Sequence, residues 1–185
     1  MDFVAVDVET ANDDVGSICQ IGLAGYKKGA LVREWVSLVD PEEEFSPVNI
    51  RIHGLSPAAV AGAPALPELA ETLRAWLGGR VVVCHTKFDQ RALDRAFEKY
   101  GLAKLDCRWL DSCQAARQAW AGCSPNGYGL AAVCGLIGHE FKHHDALEDA
   151  KAAGAVILAA GQKTGFTLAA WFKADGDLAP RHSGG

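Results

Sequence analysis

Val81-Val82-Val83-Cys84 is a run of four apolar residues between the Gly78-Gly79 pair and a polar stretch that begins at His85. A strand with no polar face needs cover on both sides, as strands inside a helix-covered sheet have. The rest of the chain supplies that cover. Upstream, residues 3–9, 18–26 and 31–39 read as strands, with Lys28-Gly29 as the turn between the last two. Their short links predict an antiparallel meander. Residues 40–49, with Pro41, Pro47 and three consecutive glutamates, read as a loop. A short helical segment follows Ser56-Pro57, and residues 67–77 read as an amphipathic helix stopped by the glycine pair. Downstream, helices are predicted over residues 87–100, 112–121, 130–136 and 145–160, and a fifth strand over 105–110. This order predicts an α/β chain: one mixed five-stranded sheet, its three antiparallel strands first, covered by helices. Residues 1–173 are expected to form one domain, and the weakly apolar residues 174–185 a disordered tail.

Several carboxylates sit badly in this apolar frame. Side chains alternate along a strand, so Phe3, Ala5, Asp7 and Glu9 share one face and Val4, Val6 and Val8 the other. Two acids therefore point the same way from the end of an apolar strand. Close carboxylates repel and raise each other's pKa, and a bound cation reverses that penalty. Asp-x-Glu also occurs at solvated strand ends, so the pair alone leaves both readings open. Asp89 follows the buried strand in the first turn of a helix, where Thr86-x-x-Asp89 matches a capping box. His144-Asp145-Ala146-Leu147-Glu148-Asp149 opens the last helix, with Asp145 and Glu148 as a capping pair. A helix that starts between His144 and Asp149 lets both face one cleft. A solvated, charged helix start is the alternative.

Composition narrows the class. The 185 residues suit one domain with a sizeable core. No apolar run reaches the roughly 18 residues of a membrane span, and the start lacks signal-peptide features. A cytosolic protein without membrane attachment is expected. Cys19, Cys84, Cys107, Cys113, Cys123 and Cys134 form no C-x-x-C pair, which argues against a zinc or redox motif and for small buried hydrophobes. The formal net charge is −5, the wrong sign for binding nucleic acid through a general field. Two divalent cations would offset four of those five charges.

Taken together, Asp7-x-Glu9, Asp89 and His144-x4-Asp149 resemble the three motifs of the DEDDh (DnaQ-like) exonuclease family, which includes the proofreading epsilon subunits of bacterial replicative polymerases. The context is similar too. Phe88-Asp89-x-x-Ala92-Leu93 resembles the second motif, His53-Gly54-Leu55 a segment before it, and Tyr128-Gly129-Leu130 the approach to the third. The resemblance spans residues 3–160 and implies a ribonuclease H-like fold. It implies a 3′-to-5′ exonuclease acting on a single-stranded 3′ end of DNA or RNA and releasing 5′-mononucleotides. Two Mg²⁺ or Mn²⁺ ions would be held by Asp7, Glu9, Asp89 and Asp149, with His144 as general base. The backbone around Thr10 and Ala11, with Phe88 or Leu55, would contact the terminal nucleotide, His53 being a further candidate, and a polymerase or further domain would be a partner. Asp at position 145 excludes the sister subgroup with Tyr-x3-Asp. Thr10-Ala11-Asn12-Asp13 departs from the Thr-Gly that many members carry there, and Thr86 from their Asn. An RNA-trimming enzyme and a non-catalytic binding module are the rival readings.

Overall fold

The computed structural model describes residues 1–123 and 127–177. Its sheet has the order β3-β2-β1-β4-β5, from β1 (Phe3–Thr10), β2 (Ile18–Lys27), β3 (Ala30–Leu38), β4 (Val81–Cys84) and β5 (Arg108–Asp111). The first three strands pair antiparallel, whereas β4 runs parallel to β1 and β5 parallel to β4. Lys28 and Gly29 are both left-handed (φ 53° and 77°), the geometry of a two-residue turn whose twist matches the flanking strands.

Eight helices are described: α1 (Pro47–His53), α2 (Pro57–Val60), α3 (Leu66–Leu77), α4 (Phe88–Lys99), α5 (Ser112–Ala119), α6 (Leu130–Ile137), α7 (Ala146–Thr164) and α8 (Leu168–Asp177). The alternation in β1 sorts its side chains as expected. Val4, Val6 and Val8 join Leu73 and Leu77 of α3 and Leu93 and Phe97 of α4 in one core. Phe3 and Ala5 join Ala150, Ala153 and Ile157 of α7 in another. In β4, Val82 and Cys84 serve the first core and Val83 the second, so that run is buried on both faces. Each buried Val or Leu contributes about 1.5–3 kcal/mol, so both layers are needed to hold the sheet.

Two glycines set how closely α7 lies on the sheet. A Cβ at Gly22 would overlap the Ala146 carbonyl and the Leu147 nitrogen at the start of α7. One at Gly154 would overlap the Tyr26 ring, whose hydroxyl donates to the Lys151 carbonyl at 3.0 Å. Gly22 stands opposite Asp7 in the β1–β2 register. The contact that lets α7 approach is thus beside the first acid. Gly22→Ala is expected to lower stability by about 1–3 kcal/mol, since backbone and not a flexible side chain must move. Thermal unfolding checks this; an unchanged melting temperature would show that α7 yields without cost.

The structure corrects several expectations. Residues 47–49 of the expected loop open a helix, α1: Ser46 accepts from the Val48 N–H, Pro47 starts the first turn, and left-handed Gly54 ends the helix. None of its residues is buried, so it has no apolar period to read. β5 begins at Arg108 and not at Leu105; Leu105 and Cys107 pack against the first core from the segment before it. α8 continues to Asp177, so residues 174–177 of the expected tail are helical; residues 178–185 lie outside the described residues. No helix among the described residues is long and apolar enough to cross a membrane.

Candidate active site

Three elements converge at the end of β1. Asp7 and Glu9 leave the strand on the α7 face, Asp7 half-buried and Glu9 buried. Asp89 enters from the first turn of α4 at 2% exposure, and Asp149 from the first turn of α7 at 3%. The Asp89 Oδ1 accepts from the Val8 N–H at 3.1 Å, which ties α4 to β1. Lys87 is the N-cap residue of α4 and makes no side-chain capping bond, while Thr86 Oγ1 accepts from the Phe88 N–H at 3.3 Å. The capping-box reading of Thr86 and Asp89 is thereby corrected: the Asp89 carboxylate bonds across elements.

At α7 the local expectation holds. Asp145 is the N-cap and accepts from the Glu148 N–H at 3.4 Å. His144 is left-handed (φ 65°), which turns its N–H onto Asp149 Oδ2 at 2.8 Å. His143 Nδ1 lies 2.9 and 3.2 Å from the two Asp149 oxygens. The Gln20 Oε1, opposite Glu9 on β2, accepts from the Ala146 N–H at 3.1 Å and fastens the helix start to the sheet.

Asp7, Glu9, Asp89, His144 and Asp149 all line one open cavity of about 570 Å³. One oxygen each of Asp7, Glu9 and Asp149 lies within 4.8 Å of the others. Such crowding is costly. Burial, and then Asp89, Asp149 and Glu9, raise the Asp7 carboxyl well above its usual range. Glu9 is pushed up to about 8 by burial and then by Asp149. Asp89 rises to about 7 by burial, against the pull of its two backbone hydrogen bonds. His144 is lowered by burial and by His143. An all-oxygen donor set in a place that strongly disfavours its own charge fits a hard divalent cation, which relieves both penalties.

These shifts predict a pH dependence of the metal-free protein. The folded state keeps protons on Glu9 and Asp89 that the unfolded state has released. Their penalty is absent below the ordinary carboxyl pKa and complete above the folded values, so stability falls as pH rises through about 7–8. In chelator, the melting temperature of Glu9→Gln is expected to fall less than that of wild type between about pH 5 and pH 9. Parallel profiles would show that Glu9 carries no such penalty.

The residues expected to touch the terminal nucleotide divide. Thr10, His53 and Phe88 line the cavity. Ala11 does not: it is fully buried, with Leu55 packed against the same small cluster. The Ala11 N–H donates to the Ser17 carbonyl and its own carbonyl accepts from the Ser46 N–H, so its backbone is committed to the loop. His53 is also engaged internally. Its Nδ1 accepts from the Leu55 N–H at 3.0 Å, which leaves the proton on Nε2 to donate to the Thr10 carbonyl at 3.1 Å. Lys142 pairs with Asp145 at 3.8 Å, and Arg91 Nε donates to the Lys87 carbonyl.

Sequence reasoning missed Val15, Asn49, Ile52 and His85 on the cavity wall. Asn49 Nδ2 donates to the Thr10 carbonyl at 2.8 Å and so helps shape the loop after β1. His85 lies 2.8 Å from both Ser112 Oγ and the Tyr128 carbonyl, holding the turn before α6 against the cavity. Nothing local marks Asn49. His85 was visible only as the residue ahead of the second motif.

The RNase_T exonuclease family matches residues 4–157. The DNA polymerase III PolC-type proteins of Bacillus cereus and Thermotoga petrophila are 24% and 27% identical over 160 residues, which cover 84% of this chain. The chain spans only 11% and 12% of their lengths. Exonuclease X in complex with 5′-overhanging duplex DNA superposes with a TM-score of 0.75 at 23% identity, covering 91% of this chain and 96% of that one. The nuclease domain of 3′hExo, a DEDDh family member bound to rAMP, gives 0.74 at 14%, covering 88% and 92%. At these identities the likeness is one of fold, that of the ribonuclease H-like exonucleases. With the family match running over most of the sequence, from Val4 in β1 to Ile157 in α7, this chain belongs to the RNase_T exonuclease family.

Proposed function

We propose that the chain hydrolyses nucleic acids from a free 3′ end, one nucleotide at a time, with two divalent ions and His144 as general base. The observation that carries this reading is the convergence of four carboxyl groups and one imidazole from β1, α4 and α7 on a single cavity. Asp7, Glu9 and Asp149 would hold one Mg²⁺ or Mn²⁺ ion, and Asp7 with Asp89 the other. When bound, such ions supply the positive charge that the attacking water and the scissile phosphate require. The chain's own residues do the rest. His144 stands on the cavity wall as a partly buried imidazole whose burial favours the neutral form, leaving a lone pair to take a proton. Asp149 receives the His144 N–H and so orients the loop that carries the base. Asp89 locks α4 on β1 through Val8 and keeps the acids in register.

A cavity of about 570 Å³ suits a nucleotide end and not a whole duplex. Thr10, His53, Phe88 and Ile52 form the wall beside the acids. Residues 1–173 are proposed as the exonuclease domain, acting with a polymerase or a further domain, on the strength of the much longer PolC-type relatives. Those relatives favour DNA, whereas the likeness to a nuclease bound to rAMP favours an RNA-trimming reading.

The test uses matched single- and double-stranded DNA and RNA with 3′-hydroxyl or 3′-phosphate ends, and a circular single strand. Expected are 5′-mononucleotides from 3′-hydroxyl ends with Mg²⁺ or Mn²⁺, resistance of the blocked and circular substrates, and no cleavage in chelator. Breakdown of the circle would refute the polarity. Cleavage that survives exhaustive chelation would refute the metal dependence.

A further inference from the structure

Asp149 belongs to two clusters of different chemistry. One is the all-oxygen set with Asp7 and Glu9. The other joins Asp149 to His143 and His144, with one ligand atom of each within 4.8 Å of the others. We propose that this second cluster is a separate metal site, of two imidazoles and one carboxylate. It takes a borderline transition ion, Zn²⁺ in particular, and by doing so switches the nuclease site off. The binding half stands on geometry and donor type alone; the inhibitory half rests on the roles proposed above for Asp149 and His144.

Four observations carry the site. First, His143 Nδ1 lies 2.9 and 3.2 Å from the Asp149 oxygens. Ligands about 2.0–2.2 Å from a tetrahedral zinc stand about 3.3 Å from one another, so this pair already has nearly the spacing of neighbouring ligands. Coordination through Nδ1 needs the neutral tautomer with its proton on Nε2. Second, the His144 ring stacks on the His143 ring, with centroids 3.9 Å apart and planes at 14°. Among the described residues its nitrogens make no hydrogen bond, so a turn of the side chain toward the ion breaks none. Third, the frame is built. Left-handed His144 sends its N–H to Asp149 Oδ2, the Asp145 cap holds the turn, and the Phe141 ring tilts on His143 at 5.4 Å. Such supports orient a ligand before the ion arrives. Fourth, His143 has an exposed side chain and His144 is half-buried, so an ion can enter from solvent.

Donor class separates the two clusters. Imidazole suits Zn²⁺, Cu²⁺ and Ni²⁺, whereas Mg²⁺ prefers oxygen alone. Zinc at the histidines would consume the lone pair of the proposed base and engage the carboxylate that the oxygen cluster shares. Three protein ligands leave one position for water, as in other open zinc sites. Occupation of one cluster therefore weakens the other.

The experiment titrates Zn²⁺ alone into the metal-free full chain against a zinc-responsive chelator, for wild type, His143→Ala, His143→Gln and Asp7→Asn. Thermal unfolding in the same buffer confirms that each variant is folded. Zinc affinity is expected to fall at least about tenfold in both His143 variants and to change little in Asp7→Asn. Co²⁺ in place of Zn²⁺ is expected to show the visible absorption of a four-coordinate site, lost in His143→Ala. In a second arm, Zn²⁺ is added to the Mg²⁺-supported reaction of wild type and the two His143 variants, each compared with its own zinc-free rate. Wild type is expected to be inhibited, and the fractional inhibition to shrink in His143→Ala. Zinc affinity that follows Asp7 and not His143 would overturn the site. Zinc that binds through His143 but leaves the rate unchanged, or raises it, would overturn the switch. Zinc binding through His143 in a chain with no nuclease activity in any metal would sustain the site and sink the exonuclease reading instead.

Discussion

Asp7→Asn is expected to abolish cleavage, by at least about 10³-fold, while leaving the metal-free protein as stable as wild type or more so. The two halves come from one cause. Asp7 faces Asp89, Asp149 and Glu9, and burial together with these neighbours raises its carboxyl well above the usual range. A neutral amide of the same shape removes the repulsion. It also removes an oxygen donor from the cluster in which Asp7, Glu9 and Asp149 oxygens lie within 4.8 Å. A carboxylate present for structure would behave in the opposite way, since its loss would remove favourable contacts. Single-turnover cleavage at saturating Mn²⁺ and thermal unfolding in chelator read the two halves separately. A clearly lower melting temperature for Asp7→Asn in chelator would mean that the acid serves the fold.

His144→Ala should slow cleavage by about 10²–10⁴-fold, the usual worth of general-base catalysis, with ion binding at the carboxylates largely kept. His143→Ala should slow it much less. Both imidazoles line the cavity, and His143 is the one that touches the Asp149 carboxylate, so proximity to the acids does not choose between them. The choice rests on spacing and on which ring is free. His144 has the four-residue spacing to Asp149 that the third motif requires, its backbone N–H is pinned to Asp149, and its ring makes no hydrogen bond among the described residues. The His143 ring lies flat against it and is already engaged. The wild-type rate should rise with pH through one titration, and this dependence should weaken in His144→Ala. Rates for both variants across pH decide it. A crippled His143→Ala beside a near-normal His144→Ala would reverse the assignment.

Much of this site is legible in the sequence, for local reasons. Alternation along an apolar strand puts Asp7 and Glu9 on one face whatever the strand pairs with. A run such as Val81 to Cys84 has no face for water, and the structure buries it between two cores. The cap at Asp145 depends on neighbours within one turn, and it formed. The same locality explains the errors. Thr86 and Asp89 have the spacing of a capping box, yet the Asp89 carboxylate found the Val8 N–H, 81 residues away in sequence. A local rule cannot see a donor that only the parallel pairing of β4 with β1 brings near.

What tertiary structure alone decided is how these pieces meet. Helix α1 has no buried residue and is set by its caps and by Asn49 and His53 on the Thr10 carbonyl, so no apolar period could announce it. Ala11 was expected at the substrate and is instead buried, because the loop after β1 folds back through Ser17 and Ser46. Gly22 looks like any glycine in a strand, and only the approach of α7 shows why a Cβ there is excluded. Sequence alone settles which side chains are ionisable, and which face of each element they occupy follows from chain geometry at periods of two and 3.6 residues. The fold decided which of those faces share a cavity, because that depends on strand order and on close packing between residues far apart in the chain.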